Sequence, residues 1–131
     1  MSEKSHCPFC GEPEIVIENK LAFAHYDSYP VNEGHCLIIV RRHVADYFQA
    51  TAEEKAAVWA LVDEMKPILD EKYGPDGYNV GVNVGRAAGQ SVPHVHIHMI
   101  PRFKGDMEDP RGGVRGVIPH KQKYAKHTGR A

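Results

Sequence analysis

Residues 94–98 read His-Val-His-Ile-His, three histidines at strict alternation. In an extended strand, successive side chains point to opposite faces. All three imidazoles then share one face, with neighbours roughly 7 Å apart at about 3.3 Å of rise per residue. Val95, Ile97 and Met99 take the other face. One side of this strand suits a core, and the other carries three groups that titrate near neutral pH.

The rest of the chain supplies partners for such a strand. Residues 15–17 and 21–26 read as two short strands joined by Glu18-Asn19-Lys20, a hairpin. Cys36–Val40 is a continuous apolar run of β type, suited to a strand buried on both faces. Thr51-Ala-Glu-Glu54 fits a capping box, and Val58, Leu61, Val62, Met65 and Leu69 follow at helical spacing. Pro67 predicts a kink or an early end to that helix. Residues 78–84 and 94–100 are the last two strands, and Pro101 is expected to end the second. Five strands, one main helix and short connections predict an α+β fold with antiparallel pairing.

At 131 residues this is one domain with room for a sizeable core. A net charge of −1 gives no global pull toward DNA, RNA or an anionic membrane. The start has no apolar run and does not read as a signal peptide, and no segment approaches a membrane span. The expectation is a cytoplasmic protein. Residues 104–131 hold seven Lys/Arg against three Asp/Glu, and are rich in Gly and Pro. They are read as a mostly irregular basic extension to a domain at 1–103, anchored through Val114, Val117, Ile118 and Tyr124. Arg111 and Arg115 are candidates to reach a polyphosphate in the same or a partner subunit.

Two chemistries suit the histidine face. A central histidine can act as a nucleophile on phosphorus if neighbours supply donors to the phosphate oxygens and assist the leaving group. The preceding loop, Gly85-Arg-Ala-Ala-Gly-Gln-Ser91, offers glycine-permitted backbone amides, with Gln90 and Ser91 as neutral donors. Alternatively, His-x-His supplies two metal ligands in a cupin-type barrel. Such sites usually add a Glu a few residues downstream, whereas the first here is Glu108, beyond Pro101. Three polar residues on a solvated sheet face are the plainest reading of all.

Cys7-Pro-Phe-Cys10 points to metal or redox chemistry before a structural disulfide. A thioredoxin-like pair would sit at a helix start after a strand, and this one precedes the first strand. Cys36 lies in an apolar run and reads as core.

The stretch from Tyr78 through Ala-Gly-Gln-Ser-Val to His94-Val-His-Ile-His98, with Met99 and Ile100 after it, resembles the signature of the histidine triad nucleotide hydrolases and transferases. The resemblance continues upstream through Asp27-Ser-Tyr-Pro and Gly34-His-Cys-Leu-Ile-Ile-Val-Arg-Arg-His43. It implies a five-stranded antiparallel sheet, usually in a homodimer, and cleavage of purine nucleotides at the α-phosphate through a covalent nucleotidyl-histidine. His96 matches the nucleophile, His98 the phosphate-side assistant and His35 the fourth histidine of the site. Asp27 matches the ribose-binding carboxylate, and Asn83, Gly89, Gln90 and Ser91 the phosphate-side loop. The implied substrates are dinucleoside polyphosphates or nucleoside phosphoramidates, with no metal required for catalysis. A non-catalytic nucleotide-binding module is the alternative on the same fold. The resemblance to bacterial-type members also implies a structural zinc held by Cys7, Cys10, His43 and His94.

Overall fold

The computed structural model describes residues 6–11 and 13–123. Strands β1 (Ile17–Glu18), β2 (Ala22–Tyr26), β3 (Cys36–Val40), β4 (Gly77–Gly81) and β5 (His96–Arg102) form one antiparallel sheet in the order β1-β2-β3-β5-β4. The expected α+β class and five-stranded sheet are what the chain adopts. Asn19 makes the first hairpin tight by accepting from the Leu21 and Ala22 amides at 3.1 and 2.9 Å.

Helix α1 (Ala52–Tyr73) covers one face of the sheet. Thr51 caps it, with its hydroxyl accepting from the Glu54 amide while the Glu54 carboxylate accepts from the Thr51 amide. Arg42 grips the same carboxylate with two bonds of 2.9 Å. Thr51→Ala should therefore lower the unfolding free energy by about 1 kcal/mol, measured by urea denaturation. Val58, Leu61, Met65 and Leu69 project from α1 onto Ala22, Ala24, Ile38, Val40, Ile97 and Met99.

Pro67 does not end the helix, which runs on to a left-handed Gly74 cap. Pro67 lies on the exposed side, so the Asp63 carbonyl it leaves unpaired meets water. Pro101 likewise does not end its strand. It pairs with Tyr78 across β4, while its carbonyl points the other way and accepts from Asn32 at 3.0 Å. On that side β3 pairs with β5 only up to Cys36 and Met99, so no ladder bond is lost where the proline has no N–H.

The opposite face of the sheet carries Phe23, Leu37 and Ile39, with Phe9 packed on them. β3 is buried on both faces, as its composition predicts. The described part of the tail contains short 3-10 turns at Gly113–Val117 and Pro119–Lys121. Val114, Val117 and Ile118 are 64, 76 and 51% exposed, so the expected apolar anchoring does not occur through them. Tyr124 lies outside the described residues. Polar bonds hold the tail's shape: Arg115 donates to the Lys121 and Gln122 carbonyls, and the Gln122 amide donates to the Arg111 carbonyl. Among the described residues no helix is long and apolar enough to cross a membrane.

Candidate active site and metal centre

The histidines occupy the sheet face that α1 leaves free. The regular strand begins at His96, two residues later than alternation alone predicts. At Val95 the ladder divides: its carbonyl accepts from the Val40 amide, and its own amide donates to the Val44 carbonyl. This opening is where the N-terminal cysteines arrive.

Cys7, Cys10, His43 and His94 converge, their ligand atoms all within 4.8 Å of one another. His94 Nδ1 lies 3.4 Å from each sulfur and 3.2 Å from His43 Nδ1, and Cys10 Sγ lies 3.1 Å from His43 Nδ1. His94 is fully buried, and its Nε2 donates to the Val40 carbonyl. Its Nδ1 therefore carries a bare lone pair aimed at three other ligand atoms. Tetrahedral zinc, at about 2.3 Å from sulfur and 2.0–2.1 Å from nitrogen, sets its ligand atoms roughly 3.3–3.8 Å apart. The quartet fits a metal ion of that kind. The Val40 carbonyl is the outer partner that fixes the His94 ring.

A second cluster, Asp27, His35 and His98, is equally compact but differently wired. The Val31 amide donates to His35 Nδ1 at 3.0 Å, so in neutral His35 the proton sits on Nε2. That N–H faces His98 Nδ1 at 3.1 Å and Asp27 Oδ2 at 3.4 Å. A nitrogen holding a proton is not a ligand. The relay instead leaves His98 with its own proton on Nε2, presented as a donor.

His96 completes the set. Its Nδ1 donates to the His94 carbonyl at 2.8 Å, which leaves Nε2 with a free lone pair. Its ring stands edge-on to His98 and to Phe9, with centroids at 5.1 and 4.9 Å. Backbone carbonyls thus dictate the proton position on His94 and His96, and His35, itself set by the Val31 amide, dictates it on His98. Burial pushes the pKa of His35, His96 and His98 down, with Asp27 pulling each partly back up. The folded imidazoles therefore take up protons less readily than those of the unfolded chain, which protonate below about pH 6.5. Stability should hold steady above that pH and decline as pH falls below it, a trend that denaturant midpoints between about pH 5 and 8 will measure.

A cavity of about 640 Å³ opens beside His96 and His98. Asp27, Asn83, Gly89 and Ser91 line it. Asp27 accepts from the Tyr29 amide through Oδ1. Gln90 is not on the wall. Its side-chain oxygen accepts from the Gly85 amide, and its nitrogen donates to the Ala45 and Val92 carbonyls. The Ala88, Gly89 and Gln90 amides also bond within the loop. The loop is a self-braced turn, and Ser91 is the donor it brings to the cavity. His35 is only 3% exposed and meets the cavity through its contact with His98. Arg111 pairs with Asp109 and does not line the cavity, nor does Arg115.

Sequence reasoning missed Pro8, Phe9, Pro13, His25, Tyr29 and Leu37, which with Ser28 and Val92 form the remainder of the wall. Phe9 carried one readable sign, its place between the two cysteines. The others depend on which strands become neighbours.

Residues 12–105 match the family model of the HIT domain. The chain is 38% identical over 118 residues to an uncharacterized HIT-like protein of Methanocaldococcus jannaschii, spanning 85% of this chain and 91% of that protein. It is 36% identical over 98 residues to a bis(5'-adenosyl)-triphosphatase of Dictyostelium discoideum, spanning 75% and 66% respectively. Among solved structures, a zinc-bound histidine triad family protein from Mycobacterium smegmatis is similar with a TM-score of 0.73 at 28% identity, covering 81% of each chain. The chain belongs to the HIT, or histidine triad, family.

Proposed function

We propose that the protein is a nucleotide hydrolase or nucleotidyl transferase that acts at a nucleoside α-phosphate. The observation that carries this reading is the bond from His96 Nδ1 to the His94 carbonyl, which turns the Nε2 lone pair into a fixed nucleophile at the cavity. Nε2 attacks the α-phosphorus, the new N–P bond forms, and the bond to the leaving group breaks. The Nδ1–H on the resulting imidazolium stays bonded to the His94 carbonyl, whose dipole offsets the new positive charge. A polyphosphate leaves as an anion, with the His98 Nε2–H donating to the departing oxygen. Water then attacks phosphorus, the N–P bond breaks, nucleoside monophosphate departs, and one proton passes to solvent. Ser91 and Asn83 donate to the phosphoryl oxygens, and Asp27 binds the ribose hydroxyls. No step needs a metal at the phosphate.

The Dictyostelium relative's name supports dinucleoside polyphosphates as the substrate class, with nucleoside phosphoramidates as the other candidates. Zinc on Cys7, Cys10, His43 and His94 is structural in this reading and is supported by the ligand spacing and the zinc-bound neighbour. Among the described residues β4 pairs only with β5 and forms an edge of the sheet, which suits a homodimer.

The test is to quench the protein in alkaline denaturant, where a phosphorus–nitrogen bond to imidazole survives, during turnover of diadenosine tetraphosphate or an adenosine phosphoramidate, and to map any adduct by peptide mass spectrometry without exposure to acid. Adenylate on the peptide containing His96 is expected. Turnover with no adduct on His96 would overturn the covalent route, and nucleotide binding with no turnover would favour a binding module.

A further inference from the structure

Among the described residues, His25 is the one imidazole on the cavity wall with no part in the chemistry above. It stands in β2 opposite Leu37 of β3, and Leu37 stands opposite His98 of β5. The three side chains therefore form one rank across the cavity floor. At about 4.8 Å between strands, the two histidine backbones lie roughly 10 Å apart, with an apolar residue between them. Pro8, Phe9 and Pro13 add further apolar wall.

The chemistry of His25 is set by one bond. Its Nδ1 lies 2.7 Å from the Glu14 carbonyl, which can only accept, so Nδ1 carries the proton. In neutral His25 the remaining polar atom, Nε2, is then an acceptor. A nucleoside phosphate held at His96 and His98, with its ribose at Asp27, lays its base over Leu37 and turns the far edge of that base toward His25. We propose that His25 is a specificity residue that accepts a hydrogen bond from the exocyclic amino group of adenine. A 6-oxo purine would instead oppose its carbonyl oxygen to the Nε2 lone pair. This inference rests on the nucleotide reading of the same cavity.

The experiment compares kcat/KM for the 5'-phosphoramidates of adenosine, purine riboside, which lacks the amino group, and inosine. It also compares binding of the three monophosphates by calorimetry. In the unaltered protein, adenosine should lead purine riboside by about tenfold, with inosine lowest, the effect of one hydrogen bond made or opposed. His25→Leu should compress the series to within about twofold while purine riboside turnover is retained, and His25→Gln, whose side-chain carbonyl also accepts, should restore part of the preference. An unaltered protein that treats the three alike, or a His25→Leu protein that keeps the full preference, overturns the proposal. Absence of turnover on all three would count against the hydrolase reading alone, because the binding series still tests His25.

Discussion

Cys10→Ser should lower the thermal midpoint by roughly 10 °C, the effect of about 3–4 kcal/mol on a domain of this size. Zinc content measured on the same sample should fall well below one equivalent. The stabilisation arises because an ion that binds only the folded arrangement adds its binding free energy to folding. The quartet joins the N-terminal segment to His94, at the entry to β5, and to His43, just beyond β3, and Phe9 packs beside it on the same face of the sheet. Turnover should fall as well, by about 10–100-fold, the usual cost of disturbing the outer partners of a site. Two contacts transmit this loss. The His94 carbonyl orients His96, and Phe9, between Cys7 and Cys10 in the chain, packs its ring against the same imidazole. A serine variant with an unchanged midpoint and full activity would remove zinc from both roles.

His96→Ala should reduce kcat by roughly four orders of magnitude or more, in line with removal of a nucleophile that acts as part of a unit. Nucleotide affinity should survive, because Asp27, Ser91, Asn83 and the apolar wall remain. The thermal midpoint should change little, since the ring packs against Phe9 and His98 at the cavity rather than beneath α1. Binding by calorimetry and turnover by chromatography on one preparation separate these effects. A variant that turns over within tenfold of the unaltered protein would exclude His96 as the nucleophile.

Much of this was legible in the residues because the signals are local. The alternation at 94–98, the apolar run at 36–40 and the Thr51–Glu54 box each state their own periodicity or cap. The grouping of Cys7, Cys10, His43 and His94 rested on family likeness, since no spacing rule links positions so far apart. What could not be read depends on what lies across the sheet. Pro101 is tolerated because no β3 residue faces its nitrogen, and Pro67 because its side of α1 is wet. Gln90 looked like a phosphate donor, yet its donors and acceptor are spent on Ala45, Val92 and Gly85. Val114, Val117 and Ile118 looked like anchors, yet polar bonds shape the tail and leave them facing outward. His25 entered the cavity wall only when β2, β3 and β5 took their places side by side.

β3 has a wider consequence. Alternate residues of its five serve two masters: Ile38 and Val40 lie in the core under α1, while Leu37 and Ile39 underlie the cavity. One thickness of backbone separates oily core from reactive face. The catalytic floor therefore has no melting transition of its own: loosening it means breaking the same ladder that holds the core. Amide exchange along β3 should therefore track global unfolding.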